Sequence, residues 1–147
     1  MRKATIEKMI VEVLKDAFKG SLGVERFPSR PDKYEFIHPK AVILVRYNGK
    51  VPSKPVGNSN TGLQIGLMEW EIIIIARNLR ADHNNEGIYE ILDEISETLI
   101  ATNIQGHGYF YQTMEDFISE DKGIWTYGMK FMLPFKMMRG VKEKDPE

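Results

Sequence analysis

The side chains in this chain that could do chemistry are few, and they stand apart. The three histidines, His38, His83 and His107, fall in separate loop or strand-edge contexts. None lies in a His-Glu-x-x-His or comparable ligand spacing, so no metal site is read from them. Asp82-His83 is the one adjacent acid–histidine pair. An aspartate that orients an imidazole makes a general base, but this pair runs into Asn84-Asn85 ahead of a helical pattern, where turn and capping chemistry accounts for it. The segment Gly57-Asn58-Ser59-Asn60-Thr61-Gly62 has the glycine spacing of a phosphate loop, yet Leu63 and Gln64 stand where a lysine and a hydroxyl belong. Without that lysine nothing reaches the outer phosphates. No serine sits in a Gly-x-Ser-x-Gly elbow. The chain has no cysteine, which excludes disulfides, thiolate metal sites and cysteine nucleophiles.

Two carboxylate pairs remain, Glu115-Asp116 and Glu120-Asp121. Neighbouring carboxylates suit acid–base work or cation binding. Flanking a strand and a turn, they read better as protection of a sheet edge. Tyr109, Phe110, Tyr111, Trp125 and Tyr127 would make a base-stacking sheet only with basic residues interleaved, and Lys122 and Lys130 are too few, so these aromatics are expected in the sheet core. Lys136, Arg139, Lys142 and Lys144 form a basic concentration balanced by Glu143, Asp145 and Glu147. No catalytic residue, cofactor or metal ligand is assigned, and the expectation is a protein that is not an enzyme.

Hydrophobic periodicity supplies the elements that position these residues. Ile6, Met9, Ile10, Val13, Leu14, Ala17 and Phe18 recur at helical steps and predict a helix over Ala4–Lys19, with Gly20 as its stop. Val24–Phe27 suits a short strand. Ala41–Tyr47 is rich in β-branched residues and predicts another. Asn48-Gly49 is a turn signal, and Asn48–Gln64 reads as a long polar loop of the kind that is functional or disordered. Ile65–Arg77 is the longest strand candidate. Its even positions, Gly66 to Ala76, carry no charge and face the core. Its odd positions mix Ile65, Leu67, Ile73 and Ile75 with Glu69 and Glu71, so that face must be partly covered by a helix or another chain. Gly87–Ala101 predicts a second helix with the stripe Ile88, Ile91, Leu92, Ile95 and Leu99, capped by Asn84 or Asn85. Tyr109–Ile118, a turn at Glu120–Gly123 and Ile124–Phe135 complete the pattern. The order implies an α+β, two-layer fold: a mainly antiparallel β-sheet with two amphipathic helices packed on one face.

The chain has 147 residues, of which 42% are hydrophobic and 28% charged. That suits a single α+β domain over 1–140 with a charged, frayed tail at 141–147. The net charge of −1 disfavours generic nucleic-acid coating. No apolar run approaches the roughly 20 residues of a membrane helix, no signal peptide follows Met1, and the expected location is the cytoplasm.

Four segments together, Ala41–Gly49, Glu69–Arg80, Gly87–Leu99 and Gly123–Phe135, resemble in order and spacing the small tail proteins of Mu-like phages and prophages, a family similar to phage tail-terminator and tail-completion proteins. The resemblance covers about Ile6 to Phe135 and carries fold rather than catalytic residues. It implies a two-helix, one-sheet fold and assembly into a homo-oligomeric ring, often of six copies, that caps the tail tube and offers a surface to head-connector proteins. It also implies location in the host cytoplasm during assembly and in the virion tail thereafter. Rings are built from heterologous contacts, and the surfaces in need of partners are the outer face of the long strand (Ile65, Leu67, Glu69, Glu71, Ile73, Ile75), the loop (Asn48, Lys50, Lys54, Asn58, Asn60) and the basic residues Lys136 and Arg139. Two other readings compete. One is a small enzyme or ligand-binding domain with its site near Asp82, His83 and the 48–64 loop. The other is a regulatory domain that binds a protein through the exposed strand face.

Overall fold

A computed structural model describes residues 1–29, 31, 34–38, 40–52, 62–77 and 87–138. Asp82-His83, Asn84-Asn85, Lys54, the run 57–61, Arg139 and the tail 141–147 lie outside the described residues.

The first helix, α1 (Lys3–Phe18), buries Ile6, Ile10, Val11 and Leu14, positions that share one side at 3.6 residues per turn. It ends where Lys19 turns left-handed (φ 51°) and returns its N–H to the Lys15 carbonyl. The sheet follows: β1 (Gly23–Arg26), β2 (Ala41–Pro52) and β3 (Leu63–Arg77). The second helix, α2 (Ile88–Ile100), buries the expected stripe of Ile88, Ile91, Leu92, Ile95 and Leu99. A small hairpin, β4 (Asn103–Ile104) and β5 (Gly108–Tyr109), precedes the last two strands, β6 (Tyr111–Asp121) and β7 (Ile124–Met138). The five-stranded sheet has the order β1-β2-β3-β7-β6. Only β1 runs parallel to its neighbour; the other pairs are antiparallel. The α+β expectation holds: both helices lie on one face, and their buried side chains join those of the strands in one cluster.

Period two sorts each strand. Met68, Trp70, Ile72, Ile74 and Ala76 of β3, Ala41, Ile43 and Val45 of β2, and Met129, Phe131, Leu133 and Phe135 of β7 face the helices and are buried. Full burial of such a side chain is worth about 1.5–3 kcal/mol, so this layer is the main source of stability. The indole of Trp70 is buried and packs 5.2 Å from the Tyr47 ring, with no hydrogen-bond partner for its Nε1 among the described residues.

Several boundaries differ from the sequence-based expectation. Asn48-Gly49 is no hairpin turn. It is a β-bulge within β2, where the register shifts between Tyr47 and Gly49 and Gly49 takes φ 126°. Strand β2 continues to Pro52 and β3 begins at Leu63, so the expected loop over Asn48–Gln64 is strand at both ends. A turn signal read locally cannot distinguish a turn from a bulge when both use the same glycine. Helix α2 is preceded by Gly87 as its N-cap, without a side-chain cap. Tyr109 belongs to the small hairpin, and β6 runs on to Asp121. The turn into β7 is the tight pair Lys122 and Gly123, both at positive φ, which suits the twist of a two-residue hairpin. Strand β7 extends past Phe135 to Met138.

The extension of β2, β3 and β7 past the helices depends on close backbone approach at Gly66. A Cβ there would stand 2.5 Å from the Val51 carbonyl oxygen and 2.8 Å from the Phe135 ring. Gly66→Ala should therefore lower stability by about 1–3 kcal/mol in denaturant unfolding, the usual range for overpacking. Gly128→Ala meets the flexible end of Ile118 instead and should cost less. Equal effects of the two would refute this packing argument.

Candidate functional site

Strand β3 places its odd residues on the sheet face opposite the helices, and that face divides into three zones. At the β2 start, Val42 pairs with Ile75 and Leu44 with Ile73. Val42 and Leu44 are fully buried, although they stand outside the cluster formed with the helices. The chain's own segment Tyr34–His38 provides a cover. Arg77 donates from Nε to the His38 carbonyl (2.8 Å) and from Nη2 to the Phe36 carbonyl, with its guanidinium 4.2 Å from the Phe36 ring. The His38 ring sits over Gly23, where a Cβ would fall 2.3 Å from it. The expectation of cover by a helix or another chain is corrected at this end: an irregular strap does the covering.

The middle zone is polar. Glu71, 8% exposed, is paired by Arg46 through Nε and Nη2. Glu69 accepts from the amide of Asn48, the residue that the bulge inserts, and lies 4.0 Å from Lys130 Nζ. A buried carboxylate is tolerable only when paired and hydrogen-bonded.

The third zone is the extension beyond the helices. Val51 is 59% exposed, Ile65 43% and Met138 52%. Leu67 is half-buried opposite Pro134, and Lys136 lies opposite Ile65. A groove of about 490 Å³ opens here between Ile65, Leu67, Pro134, Phe135, Lys136 and the tip of the small hairpin at His107. His107 donates from Nδ1 to the Pro134 carbonyl at 2.9 Å, which ties that hairpin to β7. A second groove, about 590 Å³, lies next to it and includes Met1, Leu63, Met137 and Met138.

The residues proposed from sequence thus separate. Ile65, Leu67 and Lys136 meet at the exposed extension. Asn48, Glu69 and Glu71 form the polar zone, and Ile73 and Ile75 lie under the strap's end of the face, half-buried. Lys50 does not join them. The bulge turns it to the helix side, where its ammonium stands 4.5 Å from the Phe135 ring and 3.6 Å from Met137 Sδ. Lys54, Asn58, Asn60 and Arg139 lie outside the described residues.

One acid–base cluster escaped the sequence reading. His38 Nε2 lies 3.1 Å from Glu25 Oε1. The phenol of Tyr34 is held above its ordinary pKa by burial first and by the Glu25 charge second; burial does the same to Tyr47. With the His38 ring seated on Gly23 and the Glu25 carboxylate exposed at the rim, this cluster fastens the strap to β1. Nothing in the spacing of Glu25, Tyr34 and His38 announces it, because strand pairing brings them together. Among the described residues no three histidines, aspartates or glutamates are placed to hold a metal ion, and no helix is long and apolar enough to cross a membrane.

The family model described as Gp37 protein matches residues 10–146. No curated protein matches the chain.

Removal of one partner of the Arg46–Glu71 pair strands the other. Glu71→Ala should cost about 2 kcal/mol, below the ~3–5 kcal/mol of a fully buried pair, because the Arg46 side chain is 41% exposed. The double variant Arg46→Ala/Glu71→Ala should be less destabilised than the sum of the single variants in a double-mutant cycle. Strict additivity would mean that the pair does not couple.

Proposed function

Since this chain belongs to the Gp37 protein family, a phage-related family, we propose that it is a structural virion-assembly protein of a phage or prophage tail. It acts like a tail terminator, as a homo-oligomeric ring that caps the tail tube and offers a joining surface to head-connector proteins. It works through contact rather than catalysis, in the host cytoplasm during assembly and in the virion tail afterwards.

The observation that carries this reading is the exposed extension of β2, β3 and β7. Three strands run past the helical layer and hold Val51, Ile65, Met137 and Met138 more than 40% exposed. A soluble monomer gains nothing from apolar side chains held in a rigid strand arm, whereas a contact surface does. The family supports a phage setting, and the resemblance of the four sequence segments supports the tail end within it.

The test is incubation of purified protein with phage tail tubes that lack their terminal protein, read by negative-stain microscopy. The expected outcome is a density at one tube end, lost with Ile65→Asp/Val51→Asp. Tubes left bare by the wild-type protein, and no assembly in light scattering at high concentration, would sink the reading.

A further inference from the structure

Strand β6 pairs with β7 on one side and, among the described residues, with no strand on the other. Such an edge turns a row of main-chain N–H and C=O groups away from the sheet, a template for one more strand. The side chains from Glu115 to Asp121 are all exposed. Register with β7 sorts them by face. Glu115 lies opposite Met129 and Phe117 opposite Tyr127, on the helix side. Asp116 lies opposite Gly128 on the outer side, and Ile118 reaches the same glycine. Each face of the edge thus presents one carboxylate followed by one apolar side chain. Phe117 meets the rings of Trp125 (5.8 Å) and Tyr127 (5.6 Å). It nevertheless stays 51% exposed, and Ile118 52%.

The charge here is one-sided. Strand β6 carries Glu115, Asp116, Glu120 and Asp121 and no cation. Helix α2, joined to it by the Ser96–Gln112 hydrogen bond of 2.8 Å, adds four carboxylates and neither lysine nor arginine. Among the described residues none of these carboxylates is in an ion pair. Lys130 of β7 is turned to Glu69, and Lys122 is held in the turn. The whole chain carries only −1, so the acidity belongs to this edge. Carboxylates alone would protect an edge; protection does not require Phe117 and Ile118 to be held out beside them.

We propose that β6 is a strand-addition site for an extended segment of a different protein, one in which two adjacent lysines or arginines stand beside two adjacent apolar residues. The added main-chain hydrogen bonds supply affinity, and the alternating side chains supply specificity. On each face a cation meets a carboxylate, and an apolar side chain meets Phe117 or Ile118. Opposite charges directly across a strand pair are favourable, and like charges are destabilising. Phosphate-bearing partners are repelled by the same carboxylates. A second copy is not the partner these charges select. Antiparallel pairing of two β6 strands about the middle would set Glu115 against Asp116. The β1 edge is balanced, with Arg26 paired to Glu7 and Glu25 exposed. The inference stands on β6 alone and goes beyond the tail reading.

The test titrates the full-length protein into a fluorescent peptide, Thr-Thr-Val-Ile-Lys-Arg-Thr-Thr, read by anisotropy at low salt, with amide hydrogen exchange as second readout. Wild type should bind saturably, gain protection within Tyr111–Asp121, and bind more weakly as salt screens the edge. Glu115→Lys/Asp116→Lys should weaken binding by about tenfold or more, and Glu115→Gln/Asp116→Asn by less. Circular dichroism should show both variants folded. A peptide with Glu-Asp in place of Lys-Arg should prefer the lysine variant. N-methylation of the central peptide amides should abolish binding, because it removes main-chain donors. Binding that survives the lysine variant or N-methylation, or no binding by wild type, would overturn the proposal. So would self-association of wild type that the lysine variant loses, which would give the edge to a second copy. None of these results bears on the tail-tube test of the strand extension.

Discussion

Everything in this fold hangs on a fifteen-residue strand that must satisfy two different environments at once. Strand β3 is central in the sheet, with β2 on one side and β7 on the other. Its helix-facing residues are apolar without exception from Met68 to Ala76, and they lock the register, because a slip by one residue would bury Glu69 and Glu71 under the helices. Among the described residues the opposite face has no second layer of helices. It is handled in pieces: a strap at one end, paired charges in the middle and an uncovered apolar surface at the other end.

That sequence of solutions explains why the surface in question lies where it does. The strap is fixed by Arg77, whose guanidinium serves the carbonyls of Phe36 and His38. The Arg46–Glu71 pair allows the middle of the strand to be nearly dry without an unpaired charge. Past Glu69 neither device is present among the described residues, and Ile65 and Val51 stay exposed. A covered part and an uncovered part on the same strand face are why the uncovered part is the surface proposed for contact.

The sequence discloses the elements whose signal is local. The stripe of α2 reads off at helical spacing, and the alternation of β3 and β7 gives the correct buried face for Trp70 and Phe131. The errors come from features that only pairing creates. Asn48-Gly49 reads as a turn, but opposite Glu69 it is a bulge, and that single inserted residue sends Lys50 to the wrong side of the sheet for the surface assigned to it. Arg46 and Glu71 are 25 residues apart, so their pairing is invisible before the β2–β3 register is known. Glu25, Tyr34 and His38 meet for the same reason. The strap itself carries no periodicity, which left the cover of the outer face open between a helix and another chain. The acidic pairs of β6 read as edge protection, and the edge is where they lie.

The central claim is that a surface, the strand extension, carries this protein's work. Amide hydrogen exchange on the protein alone and bound to tail tubes tests it most directly. The account predicts new protection at Leu63–Leu67, with the interior of α1 and α2 unchanged. Protection confined to the strap, or none on binding, would contradict it.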